Sequence, residues 1–264
     1  MQILEKTENK IKLNCKAKIN LGIDVIGKRE NGYHDVRMVM MQVDMSDIVT
    51  VSLREDGVIN ISGDSDMPLG ADNLAHKTAK AFLDEAGSSF GADIRIEKRI
   101  PMGAGMAGGS ADAAGVIDGL NELLGSPLSL AEKMELGCRY GADIPFCIHG
   151  GCVLAEGIGE ILTPLPDPPK FRYEIMKPEV SVSTKWVYER LDYTKKPDGL
   201  DIDGIVSGIR NADLDEMISH MGNILETVTI PAYPVVAEYK ARLMAEGARI
   251  AMMSGSGTSV FGIF

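Results

Sequence analysis

The stretch PMGAGMAGGSADAAG, residues 101–115, is the part of the sequence whose composition points most directly to chemistry. A strand pattern, ADIRIEK, precedes it and an apolar helical pattern follows it. A glycine-rich turn between a strand and a helix directs unpaired backbone N–H groups and the positive end of the helix dipole at one point. Such a point suits a phosphate group. The stretch therefore predicts a phosphate-binding loop, although a lone glycine cluster would as readily be a packed turn.

Two familiar phosphate-binding motifs do not account for this loop. The Walker motif needs a lysine before its Ser or Thr, and here Gly109 precedes Ser110. The pattern G-x-G-x-x-G is present, but a dinucleotide site needs a following strand that ends in an acidic residue. A second capped helix, SLAEKMELGCRYG, follows instead. Ser110 could cap its helix, contact phosphate or hold a magnesium ion.

Phosphoryl transfer to an alcohol also needs a group that takes the hydroxyl proton and a cation that stabilises charge. Asp143 is a candidate for the first role, because it lies between a helix-ending Gly141 and the restricted Ile144-Pro145 segment. Lys18 is a candidate for the second, although it lies out of phase with the apolar positions of its strand. From spacing alone, Asp143 would be an aspartate of a turn and Lys18 a solvent-facing lysine.

The periodicity of apolar residues predicts the elements before the loop. Alternation over residues 11–25 predicts a strand, and IVTVSLREDGVINI predicts a hairpin that turns at Asp56-Gly57. A helix is predicted over residues 73–86, with Asn73 as its N-cap and Gly87 at its end.

The elements after the loop form two groups. An amphipathic helix is predicted over residues 111–125, and Ser129 with Glu132 predicts a capping box for the next helix. The proline-rich PLPDPPK, residues 164–170, predicts a linker between a domain over 1–163 and a second αβ domain over 171–264. The second domain is predicted to open with a strand near 172–176 and to close with a helix, a strand, a turn and a strand.

Four segments of the sequence resemble the superfamily of galactokinase, homoserine kinase, mevalonate kinase and phosphomevalonate kinase (GHMP kinases). They are KAKINLGIDVIGKRENGYHDVRMVMMQVDMSDIV, PMGAGMAGGSADAA, GADIPFCIHGGCVLAEGIGEILTPL and MSGSGTSVFGIF. The Gly-Tyr-His and Gly-Ala-Asp-Ile-Pro-Phe elements resemble the branch that phosphorylates the 2-hydroxyl of a cytidine diphosphate-linked methylerythritol in non-mevalonate isoprenoid synthesis. The Gly-Glu-His signature of mevalonate kinases and the Asn-Leu-Gly-Pro-Gly-Phe-Asp opening of homoserine kinases are absent.

This resemblance implies an α+β, two-domain GHMP kinase fold with its active site in the cleft between the domains. The N-terminal domain would be like ribosomal protein S5 domain 2, and the C-terminal domain would be ferredoxin-like. The implied cofactors are ATP and Mg²⁺, with Ser110 as a magnesium ligand. By the resemblance, Asp143 accepts the proton of the substrate 2-hydroxyl, while Lys18 polarises that hydroxyl and keeps Asp143 ionised. The implied ATP-binding residues are Pro101, Met102, Gly103, Ala104, Gly105, Met106, Ala107, Gly108, Gly109, Ser110 and Ala111.

The resemblance also assigns the residues that recognise the substrate. Tyr33 and His34 would face the cytidine, and Tyr188 would stack on its opposite side, with Trp186 as the competitor if the register slips by two residues. Asn20 would contact the pyrimidine or the ribose. The third motif, SGSGT at residues 254–258, would support the phosphate loop and the substrate.

Three positions depart from the pattern of the superfamily. Lys16 replaces a common proline, Ala107 a frequent glycine, and Thr258 a common proline. Ala107 affects the loop geometry only if its backbone needs a positive φ. The chain also stops at Phe264, directly after a predicted strand, whereas members of the superfamily usually continue into a helix; we therefore expect either a short protein or a truncated one.

Composition limits the partners. The net charge of −11 argues against nonspecific binding to nucleic acid or to anionic membranes, and no window approaches the apolar length of a membrane span. We expect a cytoplasmic protein, a monomer or weak homodimer with a small-molecule substrate, whose four cysteines are reduced. The alternatives are another small-molecule GHMP kinase (mevalonate-, homoserine- or galactose-type), or a non-catalytic ligand sensor on that scaffold. A sensor would have little reason to keep both Lys18 and Asp143.

Overall fold

The computed structural model describes residues 1–63 and 67–264 of the chain. Within those residues the chain forms ten strands and nine helices. The strands are β1 (Gln2–Lys6), β2 (Lys10–Lys28), β3 (His34–Arg54), β4 (Ile59–Gly63), β5 (Gly91–Glu97), β6 (Cys152–Glu156), β7 (Ile161–Leu165), β8 (Tyr173–Met176), β9 (Ile250–Met253) and β10 (Val260–Ile263). The helices are α1 (Leu74–Glu85), α2 (Gly108–Leu123), α3 (Leu130–Cys138), α4 (Ile144–His149), α5 (Thr184–Arg190), α6 (Ile202–Arg210), α7 (Leu214–His220), α8 (Glu226–Ala232) and α9 (Val235–Ala245). None of these described helices has the length and apolar character needed to cross a bilayer.

Residue contacts divide the chain into two compact units, each built from several segments. The first unit comprises Met1–Ala17, Val43–Ile100 and Ala107–Gly150, and the second comprises Lys18–Gln42, Pro101–Met106 and Gly151–Phe264. The long strands β2 and β3 each contribute to both units. At the predicted linker, Pro164 lies in β7 and pairs with Val153, whereas residues 166–172 lie outside the helices and strands. The boundary at 164–170 stays a prediction.

The first unit contains a sheet in the order β1-β2-β3-β5-β4. The predicted alternation is confirmed at the start of β2, where Ile11, Leu13 and Cys15 are buried and the residues between them are partly exposed, but it is wrong over residues 17–23, which are all buried. Alternate residues of a strand face opposite sides of a sheet, so this pattern buries one face against the helices of the unit.

The predicted hairpin at Asp56-Gly57 is wrong. A turn is present and Gly57 has a φ of +72°, but β4 does not pair with β3. Instead β5 lies between them, antiparallel to β3 and parallel to β4, with Ile61 opposite Ile94. Parallel strands need a crossover connection, and α1 supplies it between β4 and β5.

The helices of the first unit follow their capping signals. Asn73 caps α1 by accepting a hydrogen bond from the Ala75 N–H, and Gly87, with a φ of +61°, follows the end of that helix. Ser129 and Glu132 form the predicted capping box of α3. Both signals are local in sequence, which is why they were predictable.

Helix α2 is more buried than an amphipathic helix would be. Every residue over 111–121 is buried, so the predicted apolar stripe does not describe it. A Cβ added to Gly115 would lie 2.4 Å from Cys15 Sγ, and one added to Gly119 would lie 3.2 Å from both Ile11 and Leu13. These glycines let α2 pack directly on the sheet while other helices cover its remaining sides.

The second unit contains two groups of strands. The first half of β3 pairs with β6, which pairs with β7, and β8, β10 and β9 form a separate antiparallel sheet in that order. The predicted strand near 172–176 is confirmed as β8, and the predicted closing helix, strand, turn and strand are confirmed as α9, β9 and β10. Three of the four cysteines, Cys15, Cys147 and Cys152, are buried, and Cys138 is partly exposed.

Candidate active site

The start of α2 carries the glycine-rich loop into the first unit. The helix begins at Gly108 with Ala107 as N-cap, so Ser110 lies in the first turn and is not the cap. The N–H of Ala111 donates to the Ala107 carbonyl at 2.8 Å. The N–H groups of Gly108, Gly109 and Ser110 precede any acceptor within the helix, and no side chain among the described residues caps them. This end of α2 fits an anionic phosphate group.

Ala107 adopts the left-handed backbone conformation, with φ +57° and ψ +30°. A Cβ in that region costs about 1 kcal/mol relative to glycine. We therefore expect Ala107→Gly to raise the free energy of unfolding by about 1 kcal/mol, measured by urea denaturation. Ala212→Gly is the matched control, because Ala212 has a φ of +54° in the turn between α6 and α7, and we expect a similar gain. A destabilised Ala107→Gly beside a stabilised Ala212→Gly would contradict this account.

The first part of the glycine-rich loop lies in the second unit, against the third motif. Gly103 and Gly105 have φ values of +61° and +71°. A Cβ on Gly105 would lie 2.0 Å from the Ser254 carbonyl oxygen, and the Ser254 hydroxyl donates to the Gly105 carbonyl at 3.0 Å. At Gly105, therefore, the glycine provides room for the protein's own backbone.

Lys18 is buried in β2, so the interpretation as a solvent-facing lysine is wrong. Its side chain is one of the few charged groups of the second unit with almost no exposure, and its Nζ donates to Asn20 Oδ1 at 2.6 Å. The Lys18 N–H donates to the Met106 carbonyl at 3.2 Å, and a Cβ on Gly255 would lie 3.3 Å from Lys18 Nζ. Lys18 and Asn20 thus lie beside both the glycine-rich loop and the third motif.

Asp143 is the residue that precedes α4, and it is partly buried. Its side chain makes no capping hydrogen bond to the helix. A Cβ added to Gly141 would lie 3.9 Å from Ser110 Oγ, so the loop that carries Asp143 passes beside the first turn of α2. The first unit therefore places a carboxylate without a capping role on a loop next to the open helix end.

His34 and Tyr188 lie together in the second unit. Their ring centroids are 5.3 Å apart, whereas Trp186 packs against Tyr233 at 6.1 Å. His34 is buried, and this burial, with the nearby charge of Lys28, lowers the pKa of its imidazole. The lowered pKa favours the neutral ring, in which one nitrogen donates and the other accepts. Tyr33 is exposed on the turn before it.

Tyr193 is an aromatic neighbour that the sequence did not indicate. Its ring lies edge-on to His34, with the centroids 6.5 Å apart. The residues around it, LDYTKK, carry no motif or periodicity, so only the three-dimensional structure brings Tyr193 to this cluster.

Comparison with known proteins decides the family. Residues 73–151 match the family described as GHMP kinases N terminal domain, and residues 205–264 match GHMP kinases C terminal. A protein of Lachnospira eligens named 4-diphosphocytidyl-2-C-methyl-D-erythritol kinase is 48% identical over 96% of this chain and 88% of the relative. One of Lachnoclostridium phytofermentans with the same name is 47% identical over the same shares. The chain belongs to the 4-diphosphocytidyl-2-C-methyl-D-erythritol kinase family.

Solved structures agree with membership of the 4-diphosphocytidyl-2-C-methyl-D-erythritol kinase family. A crystal structure of 4-(cytidine 5'-diphospho)-2C-methyl-D-erythritol kinase matches with a TM-score of 0.81 at 33% identity, over 96% of this chain and 89% of that one. A homoserine kinase from Cytophaga hutchinsonii matches with a TM-score of 0.78 at 22% identity, over 100% of this chain and 88% of that one, which shows the fold alone. The predicted α+β GHMP kinase fold is confirmed.

Proposed function

We propose that the chain transfers the γ-phosphoryl group of ATP to the 2-hydroxyl of 4-diphosphocytidyl-2-C-methyl-D-erythritol. The products are ADP and the 2-phosphate, an intermediate of non-mevalonate isoprenoid synthesis. Relatives of that name at 42–48% identity support the substrate assignment. The structural observation that carries the proposal is the loop of Asp143 beside the open N-terminus of α2. A carboxylate on a loop beside the uncapped start of a helix supports phosphoryl transfer to an alcohol.

In this proposal, residues 101–111 bind the nucleotide, and the N–H groups of Gly108, Gly109 and Ser110 donate to its polyphosphate. Asp143 takes the proton of the 2-hydroxyl, and the ammonium of Lys18 polarises that hydroxyl. Phosphoryl transfer with a loose transition state depends mainly on position and charge, so Asp143 needs to take little of the proton early.

Magnesium fits this arrangement as a partner of the nucleotide. Among the described residues there is no cluster of three or more His, Cys, Asp and Glu that could hold a metal ion. Mg²⁺ is commonly bound by one or two protein groups together with substrate phosphates and water, and Ser110 is the candidate protein ligand. When bound, the ion neutralises negative charge on the phosphates.

The cytidine is proposed to bind beside His34, with Tyr188 rather than Trp186 as the stacking residue. We expect Tyr188→Leu to raise the KM for the cytidine-linked alcohol about tenfold, because stacking on a base contributes about 1–3 kcal/mol. Trp186→Leu is the matched control, and its KM should stay within about twofold, since its ring packs on Tyr233 and under Arg190. The KM for ATP should change in neither variant. The reverse ranking of the two variants would overturn the assignment.

The position of the transferred phosphate tests the proposed reaction. Phosphorus NMR of the product should show a new monoester on the 2-oxygen, with the diphosphate of the cytidine-linked alcohol intact. A phosphate on another oxygen, or no new monoester in the presence of ATP and Mg²⁺, would refute the proposed function.

A further inference from the structure

A buried ionic cluster of Lys98, Asp47 and Asp112 lies in the first unit, outside the residues assigned so far. Lys98 Nζ donates to Asp112 Oδ2 at 2.7 Å and also to Asp47 Oδ2. The side chains are 0–7% exposed. Three charged side chains so deeply buried are rare unless they are paired, and here two carboxylates share one ammonium.

This Lys98 cluster is connected to both ends of the glycine-rich loop. Asp47 Oδ1 accepts hydrogen bonds from the N–H groups of Arg99 at 2.5 Å and Ile100 at 2.8 Å, the two residues before Pro101. Asp112 lies in α2, one turn after the helix begins. The ammonium of Lys98 therefore joins the strand end that enters the loop to the helix that leaves it.

The cluster also touches the first residue of α2. A Cβ added to Gly108 would lie 3.3 Å from Lys98 Nζ and 3.0 Å from Ile100 Cγ2. The backbone of Gly108, whose N–H group points out of the start of α2, thus packs against the ammonium of Lys98. A small shift of Lys98 would move Gly108, and with it the N–H groups of the first turn.

Burial of the ionised carboxylate of Asp112 costs desolvation free energy. Its Oδ1 is buried without a hydrogen-bond partner among the described residues. Burial raises the pKa of Asp112 to about 7, and Asp47 adds to this while the charge of Lys98 opposes it. An apolar residue would fill the same space without this cost, so packing alone does not account for the carboxylate.

We propose that Lys98, Asp47 and Asp112 are positioning residues for the nucleotide, which hold the two ends of the glycine-rich loop so that the first-turn N–H groups of α2 bind the polyphosphate of ATP. The inference rests on the proposed ATP-dependent kinase function. A loop that is already held in place loses little conformational entropy when the nucleotide binds. The cluster therefore raises the affinity for the nucleotide and not that for the alcohol.

Calorimetric titration of the full chain tests the proposal, with ATP and Mg²⁺ in one series and the cytidine-linked alcohol in the other. We expect Asp112→Ala to raise the Kd for ATP about tenfold while the Kd for the alcohol stays within about twofold, because one charge-assisted hydrogen bond to α2 is lost. Asp112→Asn should restore most of the affinity, since its amide oxygen can accept from Lys98. If the cluster had a structural role only, the Kd values for both ligands would rise together as the thermal stability fell.

Lys98→Arg is the second variant, and it serves if Asp112→Ala does not fold. It keeps the positive charge but brings a larger planar group against Gly108, so the Kd for ATP should rise while that for the alcohol does not. Three outcomes would overturn the proposal. They are an unchanged Kd for ATP in the folded variants, an equal rise of the Kd for both ligands, and a Kd for ATP in Asp112→Asn as high as that in Asp112→Ala. A native chain that binds ATP but phosphorylates no cytidine-linked alcohol would refute the proposed function and not the positioning role.

Discussion

Asp143→Asn is expected to lower kcat by a factor on the order of 10²–10⁴ without unfolding the protein. The amide has the shape of the carboxylate but can neither take the proton of a substrate hydroxyl nor carry the charge that orients it. Stability should be kept, because the Asp143 side chain caps no helix and Asn is an equally good residue before a helix. Steady-state ADP release and thermal denaturation, measured on the same preparations, check both parts.

Asp213→Asn is the matched control for this prediction. Asp213 also precedes a short helix, but its carboxylate accepts a hydrogen bond from the Glu216 N–H at 2.9 Å. That is a structural role, which asparagine can retain, so the activity should stay within about twofold of the native chain. If Asp143→Asn kept its kcat, Asp143 would be an ordinary residue of a turn.

Lys18→Met is expected to lower kcat by a factor on the order of 10²–10³, as removal of a charge that stabilises a transition state commonly does. Methionine has a similar length and is apolar, so it fills the buried site. It also leaves Asn20 Oδ1 without the donor that now lies 2.6 Å away, which costs about 1–3 kcal/mol of stability. Denaturation in urea measures that loss apart from the kinetic effect.

Lys16→Met separates this effect from the general loss of a lysine in β2. Lys16 lies on the same strand, but its side chain is 36% exposed and pairs with Asp44, which is 88% exposed. Exposed ion pairs contribute little, so the kcat should stay within about twofold. Equal losses in Lys16→Met and Lys18→Met would show that the strand, and not the ammonium of Lys18, is responsible.

The parts of the fold that could be predicted depend on neighbours in sequence. Asn73, Gly87 and the Ser129–Glu132 box act within one helical turn, and the alternation of β2 needs only a buried sheet face. The hairpin at Asp56-Gly57 failed because β5, more than thirty residues later, takes the position next to β3. The pattern of β4 indicates which side chains are the less exposed ones, but not which strand is its neighbour.

The candidate site divides in the same way. The glycine-rich sequence predicted the open start of α2. The positive φ of Ala107 means that the replacement of a frequent glycine by alanine at this position affects the geometry of the loop. The burial of Lys18 could not be read from its position in β2, because the covering residues come from the third motif and the loop. The Lys98 cluster joins three distant segments, so no local pattern marks it. The catalytic and substrate-binding roles stay predictions.

The rate of ADP release with four alcohols tests the central claim most directly. The native chain, with ATP and Mg²⁺, would be assayed with the cytidine-linked methylerythritol, mevalonate, homoserine and galactose at equal concentrations. The account predicts release with the first alcohol only, and its near-complete loss in Asp143→Asn. Equal rates with mevalonate or homoserine, or no release with the cytidine-linked alcohol, would contradict it.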